Sequence, residues 1–334
     1  MFRGFTRRGL GVRFNRLDLN LLVALDALLT ECSITRAAER LNLSQSATSN
    51  ALARLREYFE DELLVQVGRR MEATPRAQGL RDPVRDVLMR VDSTIAAQPE
   101  FDPTQSERCF RLFVSDYTQQ VLGPYLMTLM YAQGCTAQIE FRPQVANPYR
   151  ELERGEADLL IIPHTFTAPD HPREMLYEER FVCVVWQGSA LAQATLTPMR
   201  YELARHVVMV PSHLPNSQAY ESYLLSQLGV TRRLAAMTYS FASVPALVVG
   251  TDHIATVHER LARLMCRAWP LAMRPLPFDV PVMPQAVQWH KYRHQDPGLV
   301  WLRQQLHAAV RRMQQDGLAP PQAAAAAAAA ATTR

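Results

Sequence analysis

The sequence predicts a two-part chain, α+β then α/β: a small unit with a helix-turn-helix, a connecting helix, and a larger α/β unit. Three observations carry this. Near the start, apolar residues recur at steps of three and four, the period of helices. From about Arg108 the pattern changes to short apolar runs alternating with helical segments, the order that builds a parallel sheet. The length, 334 residues, suits two or three domains, and 48% apolar residues can fill sizeable cores.

Leu17-Asp18-Leu19 opens the first helix. Asp18 is a good N-cap, and Leu22, Leu25 and Leu29 share a face. A second helix is predicted from about Ile34 to Leu41. Asn42 can take the left-handed conformation of a tight turn, and Ser44 can cap a third helix from about Gln45 to Tyr58. Two short helices on a three- to four-residue turn make a helix-turn-helix. Ala38 is small where the helices approach. Leu41, Leu43, Thr48 and Ala51 can face inward. Ser44, Gln45, Ser46, Ser49, Asn50 and Ala53 are left outside, short hydrogen-bonding side chains suited to base edges in the major groove. Arg36, Arg40, Arg54 and Arg56 flank them as phosphate contacts. The alternative is an ordinary helical hairpin with a polar solvent face.

Ala77, Leu80, Val84, Val87, Val91 and Ile95 follow at helical steps, a coiled-coil-like seam that Pro83 starts or kinks. Arg81, Asp82, Arg85, Asp86 and Arg90 fall outside it. This predicts a dimerisation helix through Leu80, Val84, Val87 and Val91. The alternative is a helix packed on its own domain. Gln98 to Gln105 reads as a hinge.

Beyond it, strands are predicted at Arg108–Ser115, Ala137–Arg142 and Leu159–Ile162, with helices at Val121–Gln133 and Pro148–Arg154. Similar strands recur at Phe181–Val185, Val207–Val210, Leu234–Tyr239 and Ile254–Val257. Open α/β sheets bind ligands beyond the carboxyl ends of their strands. Those ends are Ser115-Asp116-Tyr117, Pro163-His164 and the segment after Tyr239.

The totals exclude more than they specify. Net charge is +4, and nine arginines face nine acids over Arg13–Arg76, so charge alone does not argue for nucleic acid. Of 36 basic residues only Lys291 is lysine, a bias that a GC-rich genome explains. Cys32, Cys109, Cys135, Cys183 and Cys266 are scattered, without the spacing of a disulfide framework or zinc site. No apolar run reaches the ~18–20 residues of a membrane span, and Met1–Gly11 is a poor signal peptide, so a cytoplasmic chain is expected. There is no phosphate loop, GxSxG or HExxH, so no catalytic residue, metal or cofactor is expected. A redox sensor using Cys109 or Cys183, and a solute-binding protein, remain as other readings.

The segment LDLNLLVALDALLTECSITRAAERLNLSQSATSNALARLREYFEDELLVQVGRRMEATPRA narrows this. Its Ala37-Ala38, Leu41-Asn42-Leu43-Ser44-Gln45, Ser49, Leu52, Arg54-Leu55 and Thr74-Pro75 resemble the DNA-binding domain of LysR-type transcriptional regulators. That family usually has proline after the serine-glutamine pair, where Ser46 stands here. It usually has a wing arginine soon after Leu63-Leu64, where Gln66 stands; Arg69 and Arg70 are the candidates instead. Leu152-x-x-Gly155-x-x-Asp158-Leu159, Ala286–His290 and a helix from about Gly298 to Met313 resemble the family's effector domain, so the resemblance runs from Arg13 to Met313. It implies a winged helix-turn-helix (13–75), a linker and dimerisation helix (76–97) and a two-lobed effector domain like periplasmic binding proteins (106–313). Residues 1–12 and 314–334, with the Ala323–Ala331 tract, are expected to be peripheral. Val12 can be encoded by a codon that also initiates translation, so Met1–Gly11 reads as an extension.

The partners implied are double-stranded DNA, a small effector, a second or fourth copy of the chain and, for an activator, RNA polymerase. No membrane is implied. RCFRLFVSD, FVCVVW, VVGTDHIATV and VGRRMEATPRA resemble the branch of nodulation activators and aromatic-degradation regulators, whose members sense flavonoids, salicylate-like acids or phenols. By that resemblance Ser115, His206 and Ser240-Phe241 fall at effector positions, joining Asp116, Tyr117 and His164 from the strand ends. For His206 the competing role is structural.

Overall fold

A computed structural model describes residues 17–68, 70–95, 100–144, 148–211 and 219–316. The chain divides into two compact units, Met1–Ala96 and Ala97–Arg334. Met1–Gly11, the hinge residues 98–99 and the alanine tract lie outside the described residues.

The first unit is built from α1 (Leu19–Glu31), α2 (Ile34–Leu41), α3 (Gln45–Phe59), β1 (Leu64–Val67), β2 (Arg70–Ala73) and α4 (Pro75–Ile95). Side chains decide where each early helix starts. Asp18, Ser33 and Ser44 accept from backbone N–H groups one turn on, satisfying donors that a helix start leaves unpaired. Left-handed residues close the same helices: Cys32 at φ 44° and Asn42 at φ 53°. Leu25, Leu28, Leu29, Leu55, Leu63 and Leu64 fill the core between α1, α3 and the hairpin. β1 and β2 pair antiparallel, Leu64 opposite Ala73 through Val67 opposite Arg70, and form the wing.

Helix α4 starts at Pro75, where a missing N–H costs nothing, and runs through Pro83 without ending there. Its face toward α1 differs from the expected seam. Ala77 and Val84 are buried in the first unit's own core, with Leu80 and Leu88 packed against it. Arg81 and Arg85, expected outside, turn inward. Arg81 donates to the Leu29 carbonyl, and Arg85 pairs with Asp26 at 2.8 Å and donates to Thr30 at 2.7 Å. Val84 is therefore a core residue of its own domain, and Leu80 packs beside it. Val87, 45% exposed, is the open position of that row, and Val91 is half-buried.

The second unit holds two five-stranded sheets. In chain order its elements begin β3 (Cys109–Val114), α5 (Asp116–Ala132), β4 (Gln138–Pro143), α6 (Pro148–Glu153), β5 (Leu159–Pro163), β6 (Arg173–Glu179) and β7 (Phe181–Trp186). Then come α7 (Ala190–Gln193), α8 (Pro198–Leu203), β8 (Arg205–Met209), α9 (Tyr220–Gln227), β9 (Arg233–Thr238) and β10 (Ile254–His258). The unit closes with α10 (Glu259–Ala268), β11 (Leu271–Arg274), β12 (Met283–Gln288) and α11 (Pro297–Gln315). One sheet runs β4-β3-β5-β12-β6, the other β11-β7-β10-β8-β9. The chain crosses between them after β6 and returns after β11. Because β12 comes back from the other lobe, it inserts antiparallel between β5 and β6, and β7 is antiparallel to β10 and β11. The sheets are thus mixed, with β4-β3-β5 and β10-β8-β9 as their parallel parts. Trp289, Leu299, Leu302 and Leu306 close the first lobe, where α11 packs on α5.

Candidate DNA-reading face and effector cavity

The tight turn at Asn42 and the Ser44 cap fix how α3 leaves α2. Ser44 Oγ accepts from the Ala47 N–H at 3.2 Å and lies 3.0 Å from Ser46 Oγ. Its hydroxyl is committed to the cap. Thr48 is fully buried and bonds back to the Ser44 carbonyl at 3.2 Å. Gln45, Ser46, Asn50, Ala53 and Arg54 are exposed on the open side of α3, and Ser49 is half-buried among them. Leu43, expected inside, is 51% exposed, since it sits on the turn rather than in a helix.

The flanking arginines differ. Arg36 lies 3.4 Å from the Glu31 carboxylate and Arg54 3.4 Å from Asp18, both at the surface, where such pairs are weak and exchangeable. Arg56 is otherwise engaged. It donates to the carbonyls of Glu62 and Leu64, each at 2.8 Å, and ties α3 to the wing. A guanidinium fork spent on two backbone carbonyls is a structural group, so Arg56 leaves the set of phosphate contacts. Arg70 is exposed on β2; Arg69 lies outside the described residues.

In the second unit a cavity of about 680 Å³ opens between the two sheets, at the carboxyl ends of β3, β5, β8 and β10. Its walls include Tyr149, Phe166, Tyr220, Tyr239 and Phe241, with Gln144 and Gln285 as neutral polar groups. Ser115, Asp116, Tyr117, Ser240 and Phe241 of the expected set line it. Three of them are already engaged within the protein. Ser115 caps α5 through Thr118. The Asp116 carboxylate accepts from Ser240 Oγ at 2.7 Å and from the Ala242 N–H at 3.0 Å, so it bridges the lobes.

Tyr117 is fully buried, stacks on His258 with ring centres 3.8 Å apart, and donates to Glu179. Burial raises the Glu179 carboxyl, while Arg260, 3.1 Å away, holds it down. Burial, with Tyr177 and Glu179 beside it, raises the Tyr117 hydroxyl well above the usual phenol range.

His164 and His206 are placed elsewhere. His164 opens a short 3₁₀ turn, His164–Phe166, in which Phe166 supplies the cavity wall. His206 stands near the amino end of β8, whereas the cavity forms at the carboxyl end, where Met209 lines it. Its ring is fully buried, with Nε2 2.7 Å from the Tyr201 carbonyl, and burial pushes its pKa down to about 4. It is a structural histidine. The residue missed was His258, which ends β10 and lines the cavity. The strand-end rule that selected Ser115 also selects it.

Cys183 is fully buried, and burial pushes its thiol up to about 12, the opposite of a reactive sensor thiol. Among the described residues no group of His, Cys, Asp and Glu is arranged to hold a metal, and no helix is long and apolar enough to cross a membrane.

A helix-turn-helix with a wing, and a two-sheet unit with a cavity at its strand ends, define an effector-responsive DNA-binding regulator rather than an enzyme. The chain belongs to the LysR family: residues 19–78 match the bacterial regulatory helix-turn-helix protein, lysR family, and residues 104–311 the LysR substrate binding domain. Among curated proteins it is similar to Nodulation protein D 2 of Bradyrhizobium diazoefficiens, 39% identical over 302 residues, 90% of this chain and 91% of that one. Nodulation protein D 2 of Rhizobium leguminosarum bv. phaseoli is 37% identical over 302 residues, 90% of this chain and 95% of that one. Among solved structures, a probable transcriptional regulator from Pseudomonas aeruginosa is 28% identical with a TM-score of 0.61, over 88% of this chain and 98% of that one. A variant of full-length OxyR from the same organism shares the fold at 17% identity and a TM-score of 0.68, over 88% of this chain and 95% of that one.

Proposed function

We propose that this regulator answers to a neutral, hydroxylated aromatic effector rather than to an aromatic acid. One observation carries the reading: the described residues that line the cavity include no arginine and no lysine. Among those residues the one carboxylate, Asp116, already accepts two hydrogen bonds, and the other walls are aromatic rings, amides, the Ser115 and Ser240 hydroxyls, the neutral His258 and apolar side chains. A carboxylate entering such a site would leave water without a cationic partner, at a cost no neutral phenol meets. The likeness to nodulation proteins D supports the flavonoid and phenol end of the range that the sequence resemblance implies.

In this reading residues 13–75 bind DNA, 76–97 join two copies, and 106–313 sense. Gln45, Ser46, Ser49 and Asn50 read bases, and Arg36, Arg54 and Arg70 hold phosphates. The effector favours one arrangement of the two lobes and shifts the spacing of the DNA-binding domains. RNA polymerase contact follows for an activator. The test is calorimetric titration of the full chain with flavones and simple phenols against salicylate-like acids, alongside operator binding. Neutral compounds bind and change the operator complex; acids bind at least tenfold more weakly. Tighter binding of the acids sinks the proposal.

A further inference from the structure

Among the described residues of the cavity wall, two buried side chains leave a polar atom without a protein partner, Gln285 at Oε1 and His258 at Nδ1, and His258 is the one held between aromatic rings. His258 is 4% exposed, and among the described residues its ring makes no hydrogen bond; its Nδ1 is fully buried and unpaired. Buried polar groups are nearly always bonded, so such an exception asks for a cause. Packing alone does not supply one. Tyr117 covers one face of the ring at 3.8 Å, Phe241 meets it edge-on at 4.9 Å, and Phe181 packs at 5.1 Å. A phenylalanine would satisfy those three rings without an orphaned nitrogen. Tyr117 is itself fixed through its hydroxyl to Glu179, so the imidazole has a rigid backing.

We propose that His258 is a specificity-determining residue of the cavity and hydrogen-bonds a phenolic hydroxyl of the effector. The inference rests on the effector reading above and adds the atom that reads the hydroxyl. A neutral imidazole carries one donor and one acceptor nitrogen, so it can meet a hydroxyl in either role. Burial keeps it neutral, pushing its pKa down to about 3. Tyr117 on α5, stacked on the ring, directs its hydroxyl to Glu179 on β6, and Glu179 pairs with Arg260 on α10. A bound water is the rival partner, and the experiment separates the two.

The test compares unsubstituted flavone with a set of monohydroxyflavones, titrated calorimetrically into the full chain. In wild type at least one hydroxyl position should improve affinity about tenfold over the parent compound. His258→Phe should abolish that margin, leave the parent's affinity within about twofold, and keep or raise the melting temperature by removing the orphaned nitrogen. His258→Asn, which retains a donor and an acceptor close to the Nδ1 position, should keep most of the margin. A margin that survives His258→Phe, or is absent from wild type, overturns the assignment and leaves the effector reading standing. Wild type that binds no neutral aromatic overturns both. If His258→Phe does not fold, His258→Leu carries the same comparison.

Discussion

Gln45 and Arg56 sit about three turns apart on one helix and do opposite things. Gln45 is exposed at the first position of α3, free to present an amide. Arg56 spends its donors on the Glu62 and Leu64 carbonyls. Gln45→Ala should therefore cost ~1–3 kcal/mol of discrimination between operator and random DNA, with little change in melting temperature. Equal losses on both DNAs would remove Gln45 as a base reader. Arg56→Ala should do the reverse. It strips charge-assisted bonds from two carbonyls, so a stability loss of about 1–3 kcal/mol is expected, with the salt dependence of DNA binding nearly unchanged. A salt slope reduced by about one ion would return Arg56 to the phosphates. Helical spacing set Gln45 on the outer side of α3, where it is exposed. It did not show Arg56 bending toward the wing, because that partner is a backbone carbonyl, which no residue identity announces.

At the scale of elements, α4 carries the proposed joint between two copies. Its apolar row meets α1 within one chain through Ala77 and Val84, and the buried Arg85–Asp26 pair lies beside that contact. Arg85→Ala should cost the first unit about 1–3 kcal/mol, because Asp26 loses its buried partner and keeps only the more exposed Arg40, 3.6 Å away. Melting of the first unit checks this. Val87→Asp should leave that melting unchanged, since Val87 is open to solvent in a single chain, and yet dissociate the oligomer in sedimentation. An intact dimer would move the interface off this face. Helical spacing made α4 legible as a helix with one apolar stripe. It did not say which partner the stripe meets, because a seam for another copy and a face for one's own core share the same period. The caps at Asp18, Ser33 and Ser44 were more legible, since short polar side chains before an apolar run act through bonds one turn away.

Across the whole molecule, strand order was readable where runs were apolar and continuous, as at Leu159–Ile162. It failed at β6, whose REMLYEE sequence is mostly polar, and at the four-residue β11. His206 was placed by resemblance, which carries no information on which end of a strand faces the cavity; here it stands at the amino end of β8, and Met209 at the carboxyl end lines the cavity. The placement now predicts how stability varies with pH.

His206 has its pKa lowered by burial from 6.5 to about 4. The unfolded chain thus binds a proton below about pH 6.5 that the folded chain refuses. The stability this residue contributes is complete above that pH and is lost as pH falls toward 4, at about 1.4 kcal/mol per pH unit. Glu179 and Glu221, whose carboxyls burial raises, act in the opposite sense, so the comparison must be with a variant. His206→Gln keeps an amide donor for the Tyr201 carbonyl and removes the titration. Its melting temperature should fall less steeply than wild type between pH 6 and 4.5, while effector affinity at pH 7.5 stays within about twofold. Calorimetric melts across that range, with flavone titrations at pH 7.5, check both halves. Parallel melting curves would mean that the folded protein protonates His206 readily. A selective loss of effector binding would return the residue to the cavity.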